Sequence, residues 1–180
     1  MKKHLKGLVI VFTGDGKGKT TAAIGMAVRA SGHGMRIRII QFIKGAWRTG
    51  EEAALARLAP EIELHRAGRG FTVERLRDER ISDEEHRAAA RAGLEQARAA
   101  LADPLDVVVL DEIFGALNAE LITEAELLEL IAAKPERMHL VLTGRRAPQA
   151  VQDAADLVSE MVLRKHPFAS GVVAQKGVEF

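Results

Sequence analysis

The 180-residue chain contains no cysteine. That absence removes disulfides, iron–sulfur clusters, thiolate zinc sites and thiol nucleophiles together. Aromatic residues are scarce: six Phe, one Trp and no Tyr are too few for a stacking track along single-stranded nucleic acid. Neither sign of charge predominates, since 26 Lys+Arg against 25 Asp+Glu leave a formal charge of +1. Proteins that chiefly neutralise nucleic-acid phosphates carry a basic excess, so no nucleic-acid partner is expected. Long hydrophobic runs are missing too. The basic start Met1-Lys-Lys-His-Leu-Lys-Gly7 has the character of a signal n-region, but the apolar run behind it covers only Leu8 to Phe12. No stretch approaches the length of a membrane span. These absences predict a cytoplasmic protein with no membrane partner. The length predicts one domain over 1–180, able to bury a real core.

What is present is an alternation. Leu8–Phe12, Ile37–Phe42, Val107–Leu110 and Met138–Leu142 are short runs rich in Val and Ile, unbroken by glycine or proline. Their near-continuous hydrophobicity suits strands covered on both faces, as in a parallel sheet. Helical patterns lie between and beyond them near 19–32, 50–59, 82–102, 122–133 and 147–154. Three open on capping-box pairs, Thr49 with Glu52, Ser82 with Glu85 and Thr123 with Glu126. Strand–helix alternation of this kind predicts an α/β domain with right-handed crossovers. Two stretches fall outside it. Arg66 to Ile81 has no clean period; a long connection is often functional, although its mixed charges equally suit a solvated loop. The tail from Arg164 is interrupted by Pro167, Gly171 and Gly177.

Directly after the first strand comes Thr13-Gly14-Asp15-Gly16-Lys17-Gly18-Lys19-Thr20-Thr21, which leads into a helix. The phosphate-loop pattern G-x-x-x-x-G-K-[ST] is met at Gly18-Lys19-Thr20, with Thr13 standing where the first glycine belongs. Glycines let the backbone curl around an anion with its N–H groups inward, and the helix aims its positive end at the same point. Gly14, Asp15, Gly16, Lys17, Gly18, Lys19, Thr20 and Thr21 are therefore candidate ATP-binding residues. Lys19 would reach the phosphates, and the Thr20 hydroxyl would hold Mg²⁺ or Mn²⁺. Val107-Val-Val-Leu-Asp111-Glu112 adds two carboxylates at the C-terminal end of a strand, where open α/β sheets bind ligands. Hard cations prefer oxygen, so Asp111 and Glu112 complete a Mg·ATP site, each directly or through water.

Six blocks then stand in order: Gly14-Asp-Gly-Lys-Gly-Lys-Thr-Thr-Ala-Ala23, Gln41-Phe-Ile-Lys-Gly45, Gly70-Phe71-Thr72, Val109-Leu-Asp-Glu112, Leu142-Thr-Gly-Arg145 and Lys165-His166-Pro-Phe168…Gly171…Ala174-Gln175…Gly177. From about Leu8 to the end, the chain resembles the P-loop-type ATP:corrinoid adenosyltransferases, which act on cob(I)alamin or cob(I)yrinic acid a,c-diamide. Thr13 in place of the first glycine is usual in that family. The resemblance implies a P-loop NTPase (RecA-like) three-layer sandwich with a mostly parallel central sheet. It implies that Co(I) of a reduced corrinoid attacks C5′ of ATP and that tripolyphosphate leaves. The triphosphate is then a leaving group, held by Lys17, Lys19, the loop backbone and the cation.

The same resemblance implies the corrinoid contacts. Phe71 matches a family position ascribed to an apolar wedge beneath the ring, which makes it, with Lys19, a candidate catalytic residue. Better-known members carry Trp two residues later, where this chain has Val73, so the wedge is expected to be weaker. The leading segment is also shorter than the helix that covers the corrinoid in some members. Trp47, Lys165 and His166 complete the candidate corrinoid contacts. Trp47 suits a cleft lip or a core anchor equally, and a lone His is more often structural than a cobalt ligand. Arg145 suits the leaving phosphates or plain exposure. A homodimer and an electron-donating reductase are implied as partners. A small P-loop kinase and an ATP-dependent corrinoid-delivery module are the alternatives.

Overall fold

The computed structural model of the chain describes residues 6–43, 50–68 and 81–178. The apolar runs form β1 (Val9–Thr13), β2 (Ile37–Gln41), β4 (Val107–Asp111) and β5 (His139–Thr143), joined by β3 (Ile62–Arg66) and β6 (Leu157–Glu160). They make one six-stranded sheet in the order β3-β2-β4-β5-β1-β6. Every pairing is parallel, so the expected mostly parallel sheet is wholly so among the described residues. The helices are α1 (Lys19–Ser31), α2 (Gly50–Leu55), α3 (Asp83–Ala102), α4 (Ile113–Asn118), α5 (Glu124–Ala133) and α6 (Gln149–Ala154).

The three layers follow from the period of two along each strand. Val9 and Val11, Ile40, Val108 and Leu110, and Leu140 and Leu142 share one buried cluster with side chains of α3 to α6. Their neighbours Ile10, Ile37 and Ile39, Val107 and Val109, and Val141 pack on the other face with Ala23, Ala27 and Ala30 of α1 and Leu55 of α2. Small alanines let α1 lie close across β5 and β4 on its way from β1 to β2. The capping boxes at Ser82 and Thr123 both form, each with reciprocal side-chain and backbone bonds, and they fix the starts of α3 and α5. The box expected at Thr49 lies outside the described residues. Among the described residues, no helix is long and apolar enough to cross a membrane.

Two elements were not expected from the pattern. α4 is only six residues long and is separated from β4 by Glu112 alone. β6 is an edge strand whose Leu157 and Val158 remain about two-fifths exposed. The pattern near 50–59 divides into α2 and a 3₁₀ turn at Ala56–Leu58. The described part of the tail holds one 3₁₀ turn, Pro167–Ser170, as its Pro and Gly content foretells.

Parallel strands bring all six C-terminal ends to one edge. The opposite edge is closed by side chains bonded to backbone. Lys134 Nζ donates to the carbonyls of Gly7, Pro135 and Met138 at 2.9–3.0 Å. Asp156 accepts from Val9 N at 2.8 Å and from Lys6 Nζ at 2.6 Å. His139 Nδ1 accepts from Leu8 N at 3.1 Å.

Candidate active site

The turn between β1 and α1 is bent where glycine permits it. Gly14 and Gly18 have φ of 97° and 120°, in the left-handed region that disfavours other residues. At Gly16 the demand is closeness: an added Cβ would stand 2.6 Å from the Met161 carbonyl oxygen. The segment after β6 is strapped to the loop there, with Gly16 N donating to Met161 O at 2.6 Å and Met161 N donating to Thr13 O at 2.8 Å. Thr13 replaces a glycine for a visible reason: its buried hydroxyl accepts from Ala147 N at 3.1 Å and so ties β1 to the turn after β5.

Lys19 opens α1 and is 6 % exposed. Its ammonium donates to the Gly14 and Gly16 carbonyls, both at 2.8 Å, and so braces the loop from inside. Burial holds its pKa below the ordinary lysine value, opposed most by the charge of Glu112. α1 has no acidic residue in its first turn and no side-chain cap on its first N–H groups. Those free donors and the helix dipole favour an anion at this end.

The acidic pair divides its work. Asp111 is 1 % exposed. Its Oδ1 accepts from the hydroxyls of Thr20 and Thr143, both at 2.8 Å, and its Oδ2 accepts from Gln41 Nε2 at 3.2 Å. Thr143 Oγ1 accepts in turn from Glu112 N at 2.9 Å. Glu112 has φ 58°, a left-handed conformation costly for a residue with a Cβ, at the start of α4. It lines a cavity of about 540 Å³ together with Lys17, Lys19, Thr20 and Thr21, opposite Gly50 and Glu51 of α2 and Gly177 of the tail. Asp111 thus orients Thr20, while Glu112 faces the cavity. The sequence left these two roles open.

The donor set suits a hard cation. Among the described residues no three His, Cys, Asp or Glu side chains gather into a metal cage. Mg²⁺ is commonly held by one or two side-chain oxygens, with phosphate and water supplying the rest. Thr20 and Glu112, with Asp111 behind Thr20, match that pattern.

Of the other expected residues, Arg145 is exposed, with Nη1 3.8 Å from Asp15 Oδ1. It follows Gly144, whose φ of 141° and contact with Phe114 leave no room for a Cβ. Lys165 and His166 lie on the exposed tail and do not line the cavity; His166 Nδ1 accepts from Phe168 N at 3.2 Å and caps the 3₁₀ turn. Trp47, Phe71 and Val73 lie outside the described residues. Two side chains of the site had received no role from the sequence, Thr143 and Gln41. The usable signal was parity: each is a polar residue closing an apolar strand, on the side that faces α1.

A glycine-rich loop opening α1, a threonine hydroxyl held by a buried strand-end aspartate and a parallel sheet between two helical layers define a P-loop nucleotide-binding protein. The crystal structure of the KaiC-like protein PH0186 from Pyrococcus horikoshii OT3 shares this fold, with a TM-score of 0.54 at 16 % identity over 89 % of this chain and 75 % of that one. Residues 5–180 match the family described as ATP:corrinoid adenosyltransferase BtuR/CobO/CobP, and the chain belongs to that family. It is 45 % identical to the corrinoid adenosyltransferase of Pseudomonas aeruginosa, over 97 % of this chain and 84 % of that protein. It is 40 % identical to the corrinoid adenosyltransferase CobA of Salmonella typhimurium, over 97 % and 86 %.

Proposed function

We propose that the chain is one catalytic unit that transfers the 5′-deoxyadenosyl group of ATP to the Co(I) centre of a reduced corrinoid. In this step the cobalt electron pair forms a bond to C5′, the C5′–O bond breaks, and tripolyphosphate leaves with the bonding pair. The cobalt goes formally from Co(I) to Co(III). What carries the reading is family membership across residues 5–180 joined to a loop whose Lys19, Thr20 and Asp111 are already assembled. Lys19, Lys17 and the amides opening α1 spread the charge that develops on the leaving group. Mg²⁺, held by Thr20 and Glu112, would screen the phosphate oxygens when bound. Phe71, Val73 and Trp47 remain the proposed corrinoid contacts, with Lys165 and His166 as outer candidates. Arg145, exposed beside Asp15, is proposed to meet the outer phosphates.

This reading includes an electron-donating reductase, because Co(I) must be generated before attack, and a cytoplasmic setting, where ATP is abundant. It also includes a homodimer. Among the described residues β6 ends the sheet, with Leu157 and Val158 exposed, and this edge supports a second copy there.

The test supplies ATP, Mg²⁺ and a chemically reduced corrinoid. A light-sensitive Co–C bond together with tripolyphosphate is the expected product pair. ADP as product would instead establish a kinase, and tight binding without product a delivery module.

A further inference from the structure

Gln41 closes β2 and is 1 % exposed. The register of β2 against β4 sets it directly beside Asp111, and alternation along both strands turns the two side chains toward α1. Its carboxamide has one fixed orientation: the atom facing the Asp111 carboxylate must be the donor, so Nε2 gives the 3.2 Å bond and Oε1 points elsewhere. Among the described residues that buried Oε1 has no hydrogen-bond partner. A buried amide oxygen without a donor is costly, and a water molecule at this strand end meets the need.

The bonds around Asp111 have a direction. Thr20 has one hydroxyl proton and gives it to Asp111 Oδ1 at 2.8 Å, which leaves its lone pairs for another partner. Thr143 pins the same oxygen. Gln41 Nε2 donates to Oδ2. Removing that donor loosens the hold on the carboxylate plane, and with it the orientation of the oxygen that accepts the Thr20 proton.

We propose that Gln41 is a positioning residue for the cation of the Mg·ATP site, fixing Asp111 so that the Thr20 lone pairs stay turned toward the metal and phosphates. This rests on the Mg·ATP part of the proposed function and goes beyond it. Size alone does not fill the role: methionine matches glutamine in length without a donor, and glutamate offers a second acceptor to a carboxylate.

The experiment measures ATP affinity by titration calorimetry with Mg²⁺ and again with EDTA, for the wild type, Gln41→Met, Gln41→Glu, Thr20→Ala and the Gln41→Met/Thr20→Ala double variant. Both Gln41 variants should lose about tenfold of the affinity gained from Mg²⁺, the worth of a hydrogen bond to a charged group. Metal-free ATP binding should stay within about twofold, because Lys19 and the loop amides are untouched. In the Thr20→Ala background the Gln41 change should have no further effect on the ratio. Parallel loss of both affinities would reduce Gln41 to a fold-supporting residue and overturn the proposal, and so would an unchanged ratio. If Gln41→Met is too unstable to purify, Gln41→Glu, equal in size and polar, carries the same readout. No corrinoid is needed, so failure of the wild type to form a Co–C bond would sink adenosyl transfer and leave this measurement standing.

Discussion

Each edge of the sheet holds a lysine that caps backbone carbonyls, buried at Lys19 and half-buried at Lys134. Lys19 holds Gly14 and Gly16 at the C-terminal edge; Lys134 holds Gly7, Pro135 and Met138 at the other. Burial is the largest cause lowering both pKa values. What differs is the company. Lys134 Nζ, Asp156 Oδ2 and His139 Nδ1 each meet backbone groups that the fold needs closed. Around Lys19 the polar groups face one another and a cavity, Glu112 sits at φ 58°, and Gln41 keeps an amide oxygen without a partner among the described residues. A polar cluster that only stabilises is closed on itself, whereas one that binds keeps strain and unspent hydrogen-bonding capacity.

The sharpest way to break this contrast is to delete each lysine in turn. Lys19→Ala should lower adenosyl transfer by at least about a hundredfold, the usual cost of losing one preorganised donor to a developing charge. Its unfolding free energy should fall by no more than about 1 kcal/mol, because relief of the desolvated ammonium offsets most of the lost bonds to the Gly14 and Gly16 carbonyls. Tripolyphosphate release and urea unfolding measure the two. Retained turnover would reject Lys19 as the phosphate-binding residue.

Lys134→Met should do the reverse. Three carbonyls lose a charged donor, and stability should fall by roughly 1–3 kcal/mol while kcat stays at the wild-type value. Asp156→Ala should behave alike, because it strands the Val9 N–H. A drop in kcat for either variant at a temperature where it is fully folded would mean that the two edges are coupled.

The sequence showed the two edges unequally. The phosphate loop was legible because its glycines, lysine and threonine are contiguous and sit between a strand and a helix. Asp111 was legible as the polar end of an apolar run. The starts of α3 and α5 were legible because a capping box is local chemistry. Gln41 and Thr143 could not receive roles, since their meeting at Asp111 depends on strand order: β5 lies between β1 and β4, and only the folded sheet brings three strand ends under α1. β6 was hidden by its exposure, because an edge strand lacks the two-sided burial that makes a parallel strand readable. The closed edge was illegible for a related reason. Lys134, His139 and Asp156 are ordinary residues whose partners lie up to 150 positions away. Thr49, Trp47, Phe71 and Val73 lie outside the described residues.

The smallest effect sharpens the contrast through pH. His139 accepts the Leu8 N–H on Nδ1, so it must be neutral there to keep the bond. Burial first, and the Lys134 charge second, hold its pKa below the ordinary imidazole value, against an opposing pull from Asp106. The folded chain therefore takes up this proton less readily than the unfolded chain. By linkage its contribution is complete above about pH 6.5 and is lost as pH falls from there toward the folded pKa, then levels off. Asp156 has the opposite chemistry and a separate window. Lys6, and then the Val9 N–H, hold its pKa below the usual carboxylate value, so its contribution persists until pH falls through that depressed pKa. Denaturant unfolding between pH 8 and pH 5 should show a decline in the wild type. That decline should be shallower in His139→Gln, which keeps an acceptor and does not titrate. The other histidines contribute equally to both curves, so the difference isolates this ring. Superimposable slopes would remove His139 from the closed edge, whereas a shallower slope with unaltered ATP affinity would separate acid stability from ligand binding on opposite ends of the same six strands.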